Sequence, residues 1–187
     1  MSTQRIKNIE KDFYEPAFAY LVENGFENTS VRDLCKALSL SPGSVYYWFE
    51  NKDDIYISVV QYGTKTIADR LFEFAFRTMQ NPKEFFDTFL RKVNEYIREF
   101  RLIFQVTASP VYGKMVRHKS MNFKFSYDKY ISRLADILGC SNEKIAPIIY
   151  LIISVLSDYV LWEDYEASKM QMDYLYEIIN KQFLPAE

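Results

Sequence analysis

Residues 25–55, GFENTSVRDLCKALSLSPGSVYYWFENKDDI, decide the fold of this chain. Thr29 and Ser30 are hydroxyl residues placed where a helix would begin, and Asp33 stands three positions after Ser30, the spacing of a capping box. Val31, Leu34 and Leu38 then fall on one helical face. Ser39-Leu40-Ser41 interrupts that periodicity. Ser41 can cap a second helix, and Pro42 suits its first position because the amide hydrogen it lacks would be unpaired there. Two helices joined by about three residues form a helix-turn-helix, whose second helix can lie in the major groove of DNA. Asn51 is placed to cap a third helix, with Asp54 at its third position.

The residue types at the second helix suit a phosphate-lined groove. Gly43 and Ser44 have little bulk, so backbone amides at the helix start can approach DNA, and Ser44 can hydrogen-bond to phosphate or base. Val45 and Phe49, four apart, should face inward. Tyr46 and Tyr47 point elsewhere around the helix, where a phenol can donate to a phosphate oxygen, and Lys52 is positioned to reach another. The expected DNA-contacting set is Thr29, Ser30, Arg32, Ser41, Pro42, Gly43, Ser44, Tyr46, Tyr47 and Lys52.

Gly25-Phe26, Thr29-Ser30-Val31, Leu34, Leu40-Ser41, Gly43, Val45-Tyr46-Tyr47, Phe49 and Asn51-Lys52 together resemble the tetracycline-repressor (TetR) family of regulators. The resemblance covers about the first third of the chain. It implies an all-α homodimer with an N-terminal three-helix DNA-binding domain (residues 1–52). A C-terminal helical domain (residues 53–187) would pair subunits and bind a small effector, with no cofactor and no metal. The implied activity is sequence-specific, DNA-binding regulation of transcription, as a repressor released from a palindromic operator by that effector.

Two features depart from the family pattern. Pro16 falls inside the expected first helix, where it removes a backbone hydrogen bond and predicts a kink or a late start. Residues 1–60 hold six cations (Arg5, Lys7, Lys11, Arg32, Lys36 and Lys52) against nine acids, a formal charge of −3. Phosphate binding normally leaves a basic footprint. The acidic head therefore supports a competing reading, a helical dimeric ligand- or protein-binding module with weak or lost DNA binding.

Composition fits a helical protein with a substantial core: 49% of the 187 residues are hydrophobic, 17% are aromatic, and only five are glycine. A single histidine, no glycine-rich phosphate loop and no nucleophile elbow argue against an enzyme. Cys35 and Cys140 show no metal spacing and read as small apolar residues. No apolar signal segment opens the sequence. The longest apolar run, Ile145 to Leu156, is broken by Pro147, Tyr150 and Ser154 and reads as too short to span a bilayer. The expectation is a cytoplasmic protein with no membrane partner.

Beyond the motif, residues 53–79 read as one long helix, Asn81-Pro82 as its end, and residues 82–100 as an apolar-faced helix with a short successor at 101–108. Pro110 and Gly113 mark a break, and helices follow at about 119–138, 142–164 and 168–183, with Gly139 as a C-terminal cap. Ile148, Ile149, Ile152, Leu156 and Val160, with Met172, Leu175 and Ile179, form the expected dimer interface, because a helix apolar on several sides needs several neighbours. The alternative is that they complete the core of a single chain. Phe104, Tyr112, Met115, His118, Phe123, Tyr127, Tyr159 and Trp162 are candidates for an effector pocket. Lys114, Arg117, His118, Lys119, Lys124, Lys129 and Arg133 form a basic run that would attract an anionic effector or simply be a solvated face.

Overall fold

The computed structural model describes residues 6–183, with side chains at 6–116 and 128–181. The protein is all-α, and among the described residues no strand forms. Among the described residues nine α-helices follow a π-turn at Glu10–Tyr14: α1 Glu15–Asn24, α2 Val31–Ala37, α3 Pro42–Tyr46, α4 Lys52–Thr78, α5 Pro82–Asn94, α6 Ile97–Ala108, α7 Gly113–Leu138, α8 Asn142–Trp162 and α9 Tyr165–Phe183. The chain divides into two compact units, Met1–Ile67 with Arg98–Ser120, and Ala68–Ile97 with Met121–Glu187. Compactness thus groups the first half of α4 and the α6 segment with the N-terminal helices.

The first unit is organised around α1 and the start of α4. Pro16 stands in the first turn of α1, and the segment before it winds as a π-turn in which Glu15 N donates to Glu10 O, so the ladder is irregular where the proline supplies no donor. The expected kink takes this form. Phe13, Ala17 and Leu21 are buried, with the Phe13 ring 5.2 Å from Phe49. Gly25 ends α1 at φ +77, a conformation a side chain would strain. Gly63 of α4 admits the Phe18 ring of α1 so closely that an added Cβ would lie 2.2 Å from it.

The second unit is built on α5, α8 and α9, with α9 packed on both of the others. Phe85, Phe86, Phe89, Leu90 and Val93 of α5 meet Ile145, Ile149, Leu156 and Val160 of α8 and Met172 and Ile179 of α9 in a buried core. Lys169 of α9 bonds Asp87 of α5 at 3.3 Å, and Tyr159 donates to Asn94 at 3.3 Å. Within the same unit, Phe72 of α4 stacks on Tyr130 of α7 with centroids 4.1 Å apart, and the Tyr130 hydroxyl donates to Asp69.

Three expectations about helix boundaries change. The helix expected to run to residue 100 breaks at Glu95-Tyr96, where Tyr96 N turns back to Val93 O at 2.9 Å. No glycine or proline marks that turn; the cations of Arg70 and Lys92 lie 5.9 and 5.4 Å from the Tyr96 ring. α7 begins at Gly113 rather than near residue 119, so Gly113 starts the helix instead of preceding it. α8 is 21 residues long, and by length and composition alone it is long and apolar enough to cross a bilayer, contrary to the sequence expectation. Its inward residues are buried against α5 and α9, as in the core helix of a globular domain.

Candidate nucleic-acid interface

Local hydrogen bonds shape the helix-turn-helix. Ser30 has extended backbone angles and its hydroxyl accepts from Asp33 N at 3.2 Å, while Asp33 accepts from Ser30 N at 2.9 Å, so both halves of the capping box form. The Ser30 hydroxyl and amide hold the Asp33 carboxyl below its ordinary range. Ser39, at φ 54, turns the chain out of α2. Ser41 then caps α3 by accepting from Ser44 N at 3.1 Å, and Asn51 caps α4 by accepting from Asp54 N at 2.9 Å. Val45 and Phe49 point inward and are buried.

What remains outside is a short aromatic and basic edge. Tyr47 is 82% exposed, Tyr46 and Trp48 are each 46% exposed, and Arg32, Pro42, Gly43 and Lys52 are also on the surface. Ser30 is exposed, and Ser41 and Ser44 are half-buried. Ser44 Oγ donates to Ser41 O at 2.8 Å, so it must redirect its proton to donate to a phosphate. Phenols, an indole and an ammonium group supply the other donors on this edge. Trp48 was absent from the sequence-derived set; it lies edge-on to Tyr47 at 5.9 Å, and its place in the run Tyr46-Tyr47-Trp48 was the available signal.

Thr29 is a correction. It was expected to contact DNA, but it is buried, with its hydroxyl donating to Gly25 O at 2.7 Å and its carbonyl accepting from the Tyr56 hydroxyl. A side chain with its proton bound inside the fold has nothing to offer a phosphate. Burial, with the charges of Tyr112, Asp33 and Tyr46 added, pushes the Tyr56 phenol up to about 12, so it remains a protonated donor near neutrality.

The acidity of the head has a structural explanation. Asp53 and Asp54 lie in the first turn of α4, where carboxylates are stabilised by the exposed amides and the helix dipole. With Glu50, Asn51, Ile57, Lys114 and Met115 they line an open groove of about 550 Å³. Two of the nine acids thus serve helix starts: Asp33 and Asp54 each accept from a backbone amide there.

With this geometry established, comparison with known proteins gives a consistent result. Residues 14–59 match the profile of the bacterial regulatory proteins of the tetR family. The HTH-type transcriptional regulator PksA of Bacillus subtilis (strain 168) is 25% identical over 136 residues, 71% of this chain and 63% of PksA. The N-terminal head, over residues 14–59, is thus of the TetR type. A crystal structure described as a transcriptional regulator (TerR/AcrR family) from Aquifex aeolicus VF5 has the same fold. Its TM-score is 0.55 at 19% identity, with 94% of this chain and all of the other covered. The match to PksA spans less than two thirds of that protein's length.

Outside the TetR-type head, the effector candidates with described side chains are divided between the two compact units. Phe104, Tyr112 and Met115 belong to the first compact unit, and Tyr159 and Trp162 to the second. Trp162 is 75% exposed at the end of α8. Tyr112 packs on Phe26 and Tyr56 of the head, with centroids at 5.4 and 6.2 Å. The side chains of His118, Phe123 and Tyr127 lie outside the described residues, as do those of Arg117, Lys119 and Lys124. Of the basic run, Lys129 lies 3.7 Å from Asp69 and Arg133 lies 4.2 Å from the Phe76 ring. Among the described residues no group of three or more His, Cys, Asp or Glu is placed to hold a metal ion.

The proposed dimer residues also need correction. Ile148, Ile149, Ile152, Leu156, Val160, Met172, Leu175 and Ile179 are all buried within the single chain, which is the core alternative. The apolar residues that α8 and α9 leave on the surface are different: Tyr150, Leu151, Leu161 and Trp162 on α8, and Tyr165, Met170 and Tyr174 on α9.

Proposed function

We propose that this protein is a sequence-specific, DNA-binding regulator of transcription, acting as a repressor that a small effector releases from its operator. The observation that supports it is the capped α3, which turns Val45 inward and leaves Tyr46, Tyr47 and Trp48 exposed beside Lys52. Functionally the chain divides into a DNA-binding head, residues 1–52, and an effector-binding and pairing region, residues 53–187. DNA contacts come from Ser30, Arg32, Ser41, Pro42, Gly43, Ser44, Tyr46, Tyr47 and Lys52. PksA is named as a transcriptional regulator of the same helix-turn-helix type, in keeping with this assignment and with a cytoplasmic location.

The active form is a homodimer that reads a palindrome, two half-sites about one helical turn (~34 Å) apart. Pairing uses the exposed face of α8 and α9, where Tyr150 and Leu161 recur near helical spacing and Met170 and Tyr174 stand four apart. Release is a population shift: an effector that binds better to a dimer with mis-spaced heads lowers operator affinity, and one with equal affinity for both states shifts nothing.

Selection from a random DNA pool with the purified protein tests the reading. Enrichment of a palindromic site supports it. A pool that stays random while the protein remains a folded dimer favours the module without DNA binding, the reading to which the acidic head points. A Leu161→Glu/Met170→Glu variant should sediment as a folded monomer and enrich no palindrome.

A further inference from the structure

We infer that Tyr112, which lies far outside the helix-turn-helix in sequence, is a positioning residue for DNA recognition: it clasps the head in its reading geometry. The inference rests on the function proposed above. Tyr112 stands in the turn between α6 and α7, and its own place is fixed locally. Ser109 Oγ accepts from Val111 N and Tyr112 N at 3.2 and 3.3 Å, and Gly113 N bonds Ser109 O at 2.8 Å. A side chain presented on such a bound turn acts as a rigid contact.

Its ring completes a triangle of aromatic edges. Tyr112 meets Phe26 at 5.4 Å and 79°, Tyr112 meets Tyr56 at 6.2 Å and 68°, and Phe26 meets Tyr56 at 6.3 Å and 73°. Each pair has the edge-to-face geometry that ring quadrupoles favour. Burial and a hydrogen bond to the Asp53 carboxylate raise the Tyr112 phenol above its ordinary range, so the hydroxyl stays a donor.

The two ring partners, Phe26 and Tyr56, are the points from which the head is hung. Phe26 opens the turn that leads into α2, and its carbonyl accepts from Thr29 N at 3.3 Å. Tyr56 holds the Thr29 carbonyl, one residue before the Ser30 cap of α2. Asp53 lies in the first turn of α4. Tyr112 therefore ties the entry of α2 to the start of α4, and α3, only five residues long, lies between them in the chain. So short a helix relies on these flanking anchors for its direction.

The test compares wild type with Tyr112→Ala, Tyr112→Leu and Tyr112→Phe, measuring affinity for the selected operator and for shuffled DNA. A variant that is merely less stable loses both affinities in proportion to its unfolded fraction, so the ratio between them is the informative quantity. Tyr112→Ala and Tyr112→Leu should lower the operator-to-shuffled ratio about tenfold, the size of one lost bidentate base contact. Tyr112→Phe keeps the rings and should restore the ratio to within about twofold. Tyr112→Leu keeps apolar volume and provides the measurement if the alanine variant does not fold. An unchanged ratio in the leucine variant, or no rescue by phenylalanine, overturns the inference. If wild type selects no DNA, the proposed function fails but the clasp remains testable by amide exchange. Faster exchange confined to residues 26–47 in Tyr112→Leu and absent in Tyr112→Phe supports it, and exchange that is unchanged or uniformly faster overturns it.

Discussion

The helix-turn-helix and the α5–α8–α9 unit achieve order with a different balance of caps and burial. In the helix-turn-helix and the helix that follows it, a side chain next to the helix start specifies where the helix begins: Ser30 for α2, Ser41 for α3 and Asn51 for α4. In the second unit α9 has a cap, Asp164 accepting from Ala167 N at 3.0 Å, but α5 begins at Pro82 and α8 after Ser141 without a side-chain cap bond, and their positions come from buried Phe and Ile side chains. Local order is readable in a short stretch of sequence, whereas order from burial depends on partners far along the chain. The two regions should accordingly fail in different ways when altered.

The largest effect should come from Met172→Ala in α9. Met172 is fully buried, and truncating such a side chain costs about 2–5 kcal/mol. Urea unfolding checks it: the midpoint should fall sharply, and by the same amount when protein concentration is varied. A loss that grows on dilution would return Met172 to a subunit interface. Next is Gly63→Ala, where the new Cβ would lie 2.2 Å from the Phe18 ring. Overpacking of this kind costs about 1–3 kcal/mol, more than the helix propensity gained, so thermal melting should occur at a lower temperature.

Ser41→Ala removes the α3 cap and should cost about 1 kcal/mol. Its effect on operator affinity should exceed that of any single truncation on the outer face of α9, because α3 carries the proposed reading edge. Equilibrium unfolding and DNA titration of the same variant measure both consequences.

The smallest effect is on acid sensitivity. Asp33 has its carboxyl pKa depressed by Ser30, so its stabilising contribution is complete above the ordinary aspartate value of 3.8 and disappears as pH falls through the lower folded value. Asp33→Asn should flatten that acid limb in urea midpoints measured across the carboxylate range. An unchanged limb would mean that the capping box adds no pH-dependent stability.

How much could be read beforehand follows the same division. The caps, the turn at Ser39 to Ser41 and the inward pair Val45 and Phe49 were legible because the residues that form them are neighbours. Thr29 was misassigned because two hydroxyl residues stand at the start of α2, and sequence alone cannot show that the hydroxyl of the first is bound to Gly25 O inside the fold. The inner face of α8 was legible as apolar but not as inner, since apolar side chains surround the helix and only packing on α5 and α9 selects Ile148 and Ile152 over Leu151 and Leu161. The turn at Glu95-Tyr96 has no helix breaker to announce it. Tyr112 reads in the sequence only as a candidate for the effector pocket, because the partners that give it a role in the head lie some fifty to ninety residues away in the chain.

The most direct test of the account is fluorescence anisotropy on selected and shuffled DNA at two salt concentrations, with wild type and a Ser44→Glu/Lys52→Ala variant side by side. Wild type should prefer the selected DNA and bind more weakly at the higher salt, as phosphate contacts require, and the variant should lose that preference. Equal binding to both DNAs, or a variant indistinguishable from wild type, would contradict the assignment of this edge as the DNA-reading surface.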